Sequence, residues 1–213
     1  MATPFVTRVK LKMQRIKREW RETPEEREWR KTWAPFDSIE GWLFPAEAKW
    51  LFDTARSLRN GASLAEIGSF KGRSTCCLAL GCRGTDKRVF AVDTFDGGPD
   101  LEPCESFPAF WQNLERAQLL EYVQPVRGIS WEVAKTWATP LDFLFIDGSH
   151  IYEDVIADFT SFFPHVVPGG IIAFHDVHTN HPGVLKAWNE TFRNKLTDVG
   201  SCESIGFGKK PDR

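Results

Sequence analysis

Two glycines in this sequence bracket a turn whose residues could bind a ligand. Gly68 follows the predicted strand 64–67, and Gly72 precedes a segment with the pattern of a helix. Glycine lets the backbone turn sharply and approach a ligand closely, and the N–H groups at a helix start offer donors and a partial positive charge. The order strand, turn and helix predicts a cofactor-binding corner, and a helix-start turn that holds no ligand is the alternative.

An acidic residue stands where a ribose would need a hydrogen-bond acceptor. Asp93 ends the next predicted strand, 25 residues after Gly68, and dinucleotide-binding folds place such a residue about 20 positions on. A pyrophosphate would also need a glycine in the middle of the turn, where this chain has Phe70. These residues favour S-adenosylmethionine, which has a ribose and no phosphate, and Glu66 is placed to accept from its ammonium group.

Strands and helices alternate along the chain from residue 63 onward. The predicted strands are continuous apolar runs, of which 141–146 is the most apolar. This pattern predicts an α/β fold with a doubly wound, Rossmann-like, mostly parallel sheet and helices on both faces. Ligands of such sheets bind outside the carboxyl ends of the strands. The residues predicted at those ends are Gly68, Asp93, Gly128, Asp147 and the pair His175 and Asp176.

The first 37 residues are predicted to form a separate helical arm, and residues 38–213 the ligand-binding domain. Apolar residues recur every three or four positions from Val6 to Trp20 among lysines and arginines, which predicts a basic amphipathic helix. Such a helix can lie on an anionic membrane, pair with a second copy or pack on its own domain. We favour the last two, so the arm is a candidate contact for a homo-oligomer.

The composition is that of an ordinary globular protein. The 213 residues have a formal net charge of −2, which gives no general attraction to nucleic acid. Five cysteines without a Cys-x-x-Cys pair argue against a disulfide framework and a zinc ribbon. No segment has the roughly 20 apolar residues of a membrane span, so we expect a cytoplasmic protein with no transmembrane segment.

Four motifs occur in a fixed order: IEGWLFPAE at 39–47, EIGSFKGRST at 66–75, FIDGSHIYED at 145–154 and PGGIIAFHD at 168–176. Together they resemble the class I S-adenosylmethionine-dependent methyltransferases. The third is similar to the Phe-Ile-Asp-Gly-x-His-x-Tyr signature of a small bacterial branch, which is related to catechol O-methyltransferase and to metal-dependent sugar O-methyltransferases. The resemblance covers about residues 38–210 and leaves the arm outside.

The resemblance implies a set of cofactor-binding residues. They are Glu66, Gly68, Ser69, Gly72, Ser74 and Thr75 around the methionine part, Asp93 at the ribose, Ser130 and Trp131 beside the adenine, and Asp147. Other roles stay open for some of them, because Ser74 and Thr75 could cap the helix and Trp131 could belong to the core.

The resemblance also implies chemistry at the strand ends. Metal-dependent relatives hold a divalent cation that lowers the pKa of the acceptor hydroxyl, at positions matched here by Asp147, His175 and Asp176. His175 departs from that pattern, because Mg²⁺ prefers oxygen ligands. Three interpretations stay open: a metal site of those three residues, a metal-free site with His150 or His175 as general base, and a structural network that caps the strands.

The expected activity is methylation of a hydroxyl group on a small molecule, such as a sugar or a phenolic natural product. S-adenosylmethionine would supply the methyl group, with a divalent ion such as Mg²⁺ or Mn²⁺ as a candidate helper. The alternatives are a catalytically inactive module that binds the cofactor and a nicotinamide-dependent oxidoreductase, which Phe70 opposes. We expect the loop 96–107, Trp42 and the arm to wall the acceptor pocket.

Overall fold

The computed structural model describes residues 23–98, 103–178 and 181–212. The described residues fall into two compact units that divide between Ser38 and Ile39. The amphipathic helix predicted within residues 1–22 lies outside the described residues, as do residues 99–102 of the loop predicted to wall the acceptor pocket. The assignment of separate roles to 1–37 and 38–213 stays a prediction.

The first unit contains helix α1 (Pro24–Trp33). Thr23 caps it, because its side chain accepts from the Glu26 N–H at 3.1 Å while the Glu26 carboxylate accepts from the Thr23 N–H at 2.7 Å. Pro24 occupies the first helical position, where a missing N–H costs no hydrogen bond. The sequence Thr-Pro-Glu-Glu therefore starts this helix as its residue types predict.

The second unit is built on one sheet. Its strands are β1 (Ser63–Ile67), β2 (Arg88–Asp93), β3 (Val123–Arg127), β4 (Leu141–Ile146), β5 (Val166–Phe174), β6 (Thr197–Cys202) and β7 (Ile205–Lys209). They lie in the order β3-β2-β1-β4-β5-β7-β6. Strands β1 to β5 are mutually parallel, and β7 runs antiparallel to both β5 and β6.

Helices connect these strands. They are α2 (Pro45–Ser57), α3 (Arg73–Cys82), α4 (Phe107–Ala117), α5 (Ser130–Ala134), α6 (Tyr152–Phe162) and α7 (Pro182–Ala187), with 3₁₀ turns at Leu120–Tyr122 and Phe163–His165 and a π turn at Trp188–Phe192. None of the described helices is long and apolar enough to cross a membrane.

Alternation along the strands gives the sheet two buried faces. Leu144 of β4 packs in the core cluster that contains Phe159 of α6, whereas Phe143 points to the other face and contacts Trp50 of α2, with ring centroids 6.2 Å apart. Successive side chains of a strand point to opposite faces, so a strand that is apolar throughout needs cover on both. The predicted Rossmann-like sheet with helices on both faces is confirmed.

Strand β5 is longer than its apolar residues indicate. We expect a strand over 171–174 from the sequence, but it begins at Val166 and includes Gly169 and Gly170. Gly169 has φ +73°, and its N–H donates to the Lys210 carbonyl at 2.9 Å. Hydrogen bonding to the distant C-terminal segment therefore extends the strand through residues that locally favour a turn.

The parallel register brings the strand ends to one edge of the sheet. Ile146 of β4 pairs with Ile67 of β1 on one side and with Phe174 of β5 on the other. One residue further on, the Asp147 N–H donates to the Ile67 carbonyl at 2.8 Å, and the His175 N–H donates to the Ile146 carbonyl at 3.0 Å. Backbone hydrogen bonds thus place Gly68, Asp147 and His175 side by side.

Truncation of the central strand should test this core. Leu144→Ala removes a fully buried side chain of β4, and we expect it to lower the free energy of unfolding by about 2–5 kcal/mol. The control, Val199→Ala on strand β6, changes an exposed side chain and should stay within about 0.5 kcal/mol of the wild type. Urea unfolding measures both, and equal losses would contradict the assignment of the core.

Candidate active site

The turn after β1 needs glycine at Gly68. Its φ is +85°, and a Cβ added there would lie 2.1 Å from the Asp147 carbonyl oxygen. Both the backbone conformation and the close approach of the neighbouring strand end therefore exclude a side chain. Gly72, also at φ +85°, precedes helix α3. The two glycines bracket the turn as predicted.

Asp93 holds the turn in place through backbone hydrogen bonds. Its Oδ2 accepts from the N–H groups of Ser69 and Phe70 at 2.6 and 2.7 Å, and its Oδ1 accepts from the Phe95 N–H at 2.7 Å. A carboxylate with three such donors is strongly oriented. The ribose contact expected of Asp93 stays a prediction, and the hydrogen bonds give this residue a second role in shaping the turn.

Glu66 is a fully buried carboxyl group beneath the turn. Its Oε2 accepts from the Ser69 hydroxyl at 2.7 Å and from the Thr75 hydroxyl, and a hydrogen bond from Ser74 also favours the ionised form. Burial outweighs these contacts and raises the pKa of Glu66 to about 7. Ser69, Ser74 and Thr75, which the sequence places near the methionine part of the cofactor, therefore hydrogen-bond to Glu66. Glu66 is the residue expected to interact with the ammonium group of the cofactor.

Two cavities meet at this edge of the sheet. The first, of about 300 Å³, is lined by the predicted cofactor residues Gly68, Asp93, Ser130, Trp131 and Asp147. The second, of about 790 Å³, extends toward Trp42 and Phe44. The residues that line both are Gly68, Phe70, Asp147, Gly148 and His150. Ligands in the two cavities would therefore face each other beside a carboxylate and an imidazole.

Two buried polar residues, Ser130 and Asp158, form a hydrogen-bonded pair in the wall of the first cavity. The Ser130 hydroxyl, at the start of α5, donates to the Asp158 carboxyl group of α6. Burial raises the pKa of Asp158 to about 7, although the bond from Ser130 counteracts that rise. The pair joins α5 to α6 at the place where the sequence predicts the adenine.

His175 lies among three carboxylates. Its Nδ1 is 3.1 Å from Asp147 Oδ1 and 3.2 Å from Asp176 Oδ2, and its Nε2 is 3.2 Å from Glu47 Oε2. Only 5% of the His175 side chain is exposed. Glu47, on α2, is fully buried and also accepts from the Ser204 N–H at 2.8 Å and from the Ser204 hydroxyl at 2.6 Å.

The carboxylates decide the charge of His175. Burial by itself would lower the pKa of this imidazole, but the three acidic neighbours outweigh burial and raise it. Burial also raises the pKa of Asp147, and His175 counteracts that rise. An imidazolium with both nitrogens directed at carboxylates is a poor proton acceptor, so this geometry disfavours His175 as general base.

His150 has a more open position. Its Nε2 is 3.1 Å from Asp176 Oδ2, and its ring stacks on the His181 ring with centroids 3.8 Å apart. Asp176, the shared partner of His150 and His175, has φ +61°. A non-glycine residue in this conformation is strained, and such strain concentrates at functional sites.

A sequence profile described as a methyltransferase domain matches residues 65–177, more than half of the chain. The chain belongs to this methyltransferase family. The match begins in β1 and ends just after Asp176, so it spans the turn, the first cavity and His175 with Asp147 and Asp176, but not Glu47. The resemblance to class I S-adenosylmethionine-dependent methyltransferases is confirmed.

Curated relatives match only in part. "Uncharacterized protein y4gI" of Sinorhizobium fredii is 27% identical over 168 residues, which are 73% of this chain and 17% of that protein. The demethylmacrocin O-methyltransferase of Streptomyces fradiae is 35% identical over 66 residues, which are 31% of this chain and 17% of that enzyme. The chain thus matches about a sixth of the length of these two relatives.

A solved structure matches over most of its length. The O-methyltransferase TomG from Streptomyces achromogenes, crystallised in complex with S-adenosylmethionine, is 18% identical to this chain. The match has a TM-score of 0.62 and covers 89% of this chain and 91% of TomG. At this identity the likeness shows a common methyltransferase fold.

The predicted site residues of the methyltransferase lie in four overlapping groups. Gly68, Asp93, Ser130, Trp131 and Asp147 line the first cavity, while Ser69 and Ser74 line the second. Glu66 and Thr75 are buried beneath the turn. The candidate catalytic and metal-binding residues form one cluster of His150, Asp147, His175 and Asp176.

Sequence reasoning missed Glu47 and Asp158. Glu47 shares a helical spacing of four with the buried residues Leu51 and Ala55, so an acidic residue stands in the apolar stripe of α2. Asp158 likewise stands next to Phe159 on the buried face of α6. An acidic residue on the apolar face of a predicted helix could have identified both residues, because a buried carboxylate needs hydrogen-bond or charged partners.

The raised pKa of Glu66 predicts how stability depends on pH. An acid that binds its proton more tightly when folded stabilises the protein below its unfolded pKa, and this contribution is lost as the pH rises through the folded value. We therefore expect Glu66 to contribute a fall of up to about 1.4 kcal/mol per pH unit to the free energy of unfolding of the cofactor-free protein between about pH 5 and pH 7. Glu66→Gln should flatten this slope.

Urea unfolding across this pH range measures the slope. The control Glu115→Gln replaces an exposed carboxylate of α4 and should leave the wild-type slope unchanged. Parallel curves for wild type and Glu66→Gln would contradict the burial effect.

Proposed function

We propose that this methyltransferase transfers the methyl group of S-adenosylmethionine to a hydroxyl group of a small molecule. The observation that carries the proposal is the wall shared by the two cavities, where Asp147 and His150 face both. Methyl transfer from a sulfonium is an in-line displacement, so donor and acceptor must meet on opposite sides of the methyl group. Two cavities that meet at one wall suit that requirement.

The cofactor would occupy the first cavity. Asp93 would bind the ribose hydroxyls, and Ser130 and Trp131 the adenine, while Glu66, buried beneath the turn, would attract the ammonium group through its charge. The turn from Gly68 to Gly72 would lie against the methionine part, where Ser69, Ser74 and Thr75 hold Glu66 in place. A charged ammonium group favours the ionised form of Glu66, so binding would release a proton near neutral pH.

Within the cluster, His150 is the candidate general base. A hydroxyl acceptor is a weak nucleophile until its proton is removed, and an imidazole suits that step near neutral pH. Asp176 lies 3.1 Å from His150 Nε2 and would stabilise the imidazolium that forms. His175 would position Asp147 and Asp176, because it contacts both carboxylates.

A divalent ion, where one takes part, would be held by Asp147, His175 and Asp176. The donor atoms of these residues lie within 4.8 Å of one another, and the buried Glu47 faces the other nitrogen of His175. A carboxylate on the second nitrogen is the usual arrangement of metal-binding histidines, so the residues fit an ion. Such an ion would lower the pKa of the acceptor hydroxyl, and the imidazole favours manganese, iron or zinc over magnesium.

The second cavity suits an acceptor with a ring, such as a sugar or a phenolic natural product. Trp42 and Phe44 expose 69% and 57% of their surface at its rim, and Trp42 stacks on Phe70 with centroids 6.0 Å apart. Flat aromatic surfaces bind phenol rings and the apolar faces of sugars. The names of the demethylmacrocin enzyme and TomG, both O-methyltransferases, support a hydroxyl acceptor.

Cofactor binding can be tested with a pair of glycine variants. Gly68→Ala should weaken binding of S-adenosylhomocysteine by more than about tenfold, because the new Cβ collides with the Asp147 carbonyl. The control Gly61→Ala has the same left-handed strain, at φ +70°, but its Cβ meets nothing within 4 Å. Calorimetry measures the affinity of each variant for S-adenosylhomocysteine. The proposal would be overturned if the wild-type protein preferred NAD to S-adenosylhomocysteine, or bound neither of them.

The catalytic assignment needs a second comparison. In a panel of sugar and phenolic acceptors, His150→Gln should lower turnover by about 10²–10⁴-fold, as loss of a general base does, while affinity for S-adenosylhomocysteine falls by a far smaller factor. The control His165→Gln changes a histidine that precedes β5, at the opposite edge of the sheet. Release of S-adenosylhomocysteine measures turnover, and equal rates for both variants would remove His150 from the mechanism.

A further inference from the structure

A second group of possible metal ligands adjoins the cluster around His175. His150, Asp176 and His181 each offer a donor atom, and the three donors lie within 4.8 Å of one another. They come from three separate places: the loop after β4, the end of β5 and the residue before α7. We propose that these residues form a second metal site, specific for a borderline divalent transition metal ion such as Zn²⁺.

Close packing of the backbone holds the two histidines together. A Cβ added to Gly183 would lie 2.3 Å from the His150 carbonyl oxygen and 2.8 Å from the Tyr152 nitrogen. Only glycine allows the start of α7 to lie directly on the loop after β4, two residues beyond His181. The backbone therefore holds both histidines within reach of one ion, and their rings, stacked 3.8 Å apart, would turn about their side-chain bonds to direct the in-plane lone pairs at it.

The third ligand is also fixed in advance. Asp176 has a strained φ of +61°, and its Oδ2 lies 3.1 Å from His150 Nε2. Its side chain is only 14% exposed, so it has little freedom to turn away. A carboxylate held in place before the ion arrives loses less conformational entropy on binding.

The donor set selects the class of metal. Two imidazoles and one carboxylate suit zinc, cobalt, iron(II) and manganese, whereas Mg²⁺ and Ca²⁺ require mainly oxygen ligands. Three protein ligands also leave coordination positions for water or another ligand. An ion here would occupy the imidazole of His150, so metal and proton would compete for the candidate base.

The second site shares only Asp176 with the group of Asp147, His175 and Asp176. Replacement of Asp147 therefore removes a ligand from the first group and leaves the second intact. The inference does not require that the protein transfers methyl groups, because it depends only on the three donors and the loops that carry them.

Cobalt binding to the full-length protein tests the second site. Equilibrium dialysis and the visible absorption of Co²⁺ would be measured for Asp147→Asn alone and in combination with His181→Ala or His178→Ala. His178 is the matched control, since it is an exposed histidine three residues earlier in the chain. We expect Asp147→Asn to bind one Co²⁺, His181→Ala to weaken that binding by more than about tenfold, and His178→Ala to leave it unchanged.

Two results would overturn the inference: loss of all cobalt binding in Asp147→Asn, or equal cobalt affinities in the His181→Ala and His178→Ala combinations. Circular dichroism would establish that each variant folds. If His181→Ala does not fold, His181→Gln would replace it. Calorimetry with S-adenosylhomocysteine on the same proteins separates the two proposals. Retained cofactor binding with equal cobalt affinities would reject the metal site alone, and absent cofactor binding in the wild type would reject the methyl-transfer proposal alone.

Discussion

The parallel register of β1, β4 and β5 is the constraint on which the site depends. The hydrogen bonds from Asp147 to the Ile67 carbonyl and from His175 to the Ile146 carbonyl align three strand ends to within one residue. A slip of one residue would turn Asp147 and His175 to the opposite face of the sheet. The same alignment brings Gly68 so close to Asp147 that no side chain fits. The turn from Gly68 to Gly72 and the cluster of His150, Asp147, His175 and Asp176 therefore lie at the same edge of the sheet.

Burial of ionisable groups at this edge is costly and is offset locally. Glu47 is satisfied by Phe44, Ser204 and His175, and the Oε2 atom of Glu66 by hydroxyl groups beneath the turn. Buried carboxylates are tolerated only with such partners. The offset is incomplete at Glu66 and Asp158, where burial raises the pKa to about 7. Asp158 lines the first cavity, whereas Glu66 is buried beneath the turn that borders it, so a cationic ligand there would favour the ionised form of both groups.

Local patterns predicted most of the fold. Strand β4 has the bounds expected from its apolar run, β2 ends at Asp93 as expected, and the Rossmann-like arrangement follows from the alternation of strands and helices. The predictions were less accurate where residues distant in the sequence determine the bounds of an element. The first residues of β5, for example, hydrogen-bond to the C-terminal segment and extend the strand. The turn was predictable because Gly68 and Gly72 reflect a backbone requirement, which acts at the residue itself.

For the candidate site, the sequence by itself determined which residue types reach the strand ends: Gly68, Asp93, Asp147, His150, His175 and Asp176. It could not determine what each of them touches. Only the tertiary structure decided that Glu47 lies against His175, 128 residues away in the chain, and that His150 stacks on His181. Residue type and strand position are local properties, whereas the charge and orientation of a buried imidazole depend on groups that only folding brings within about 4 Å.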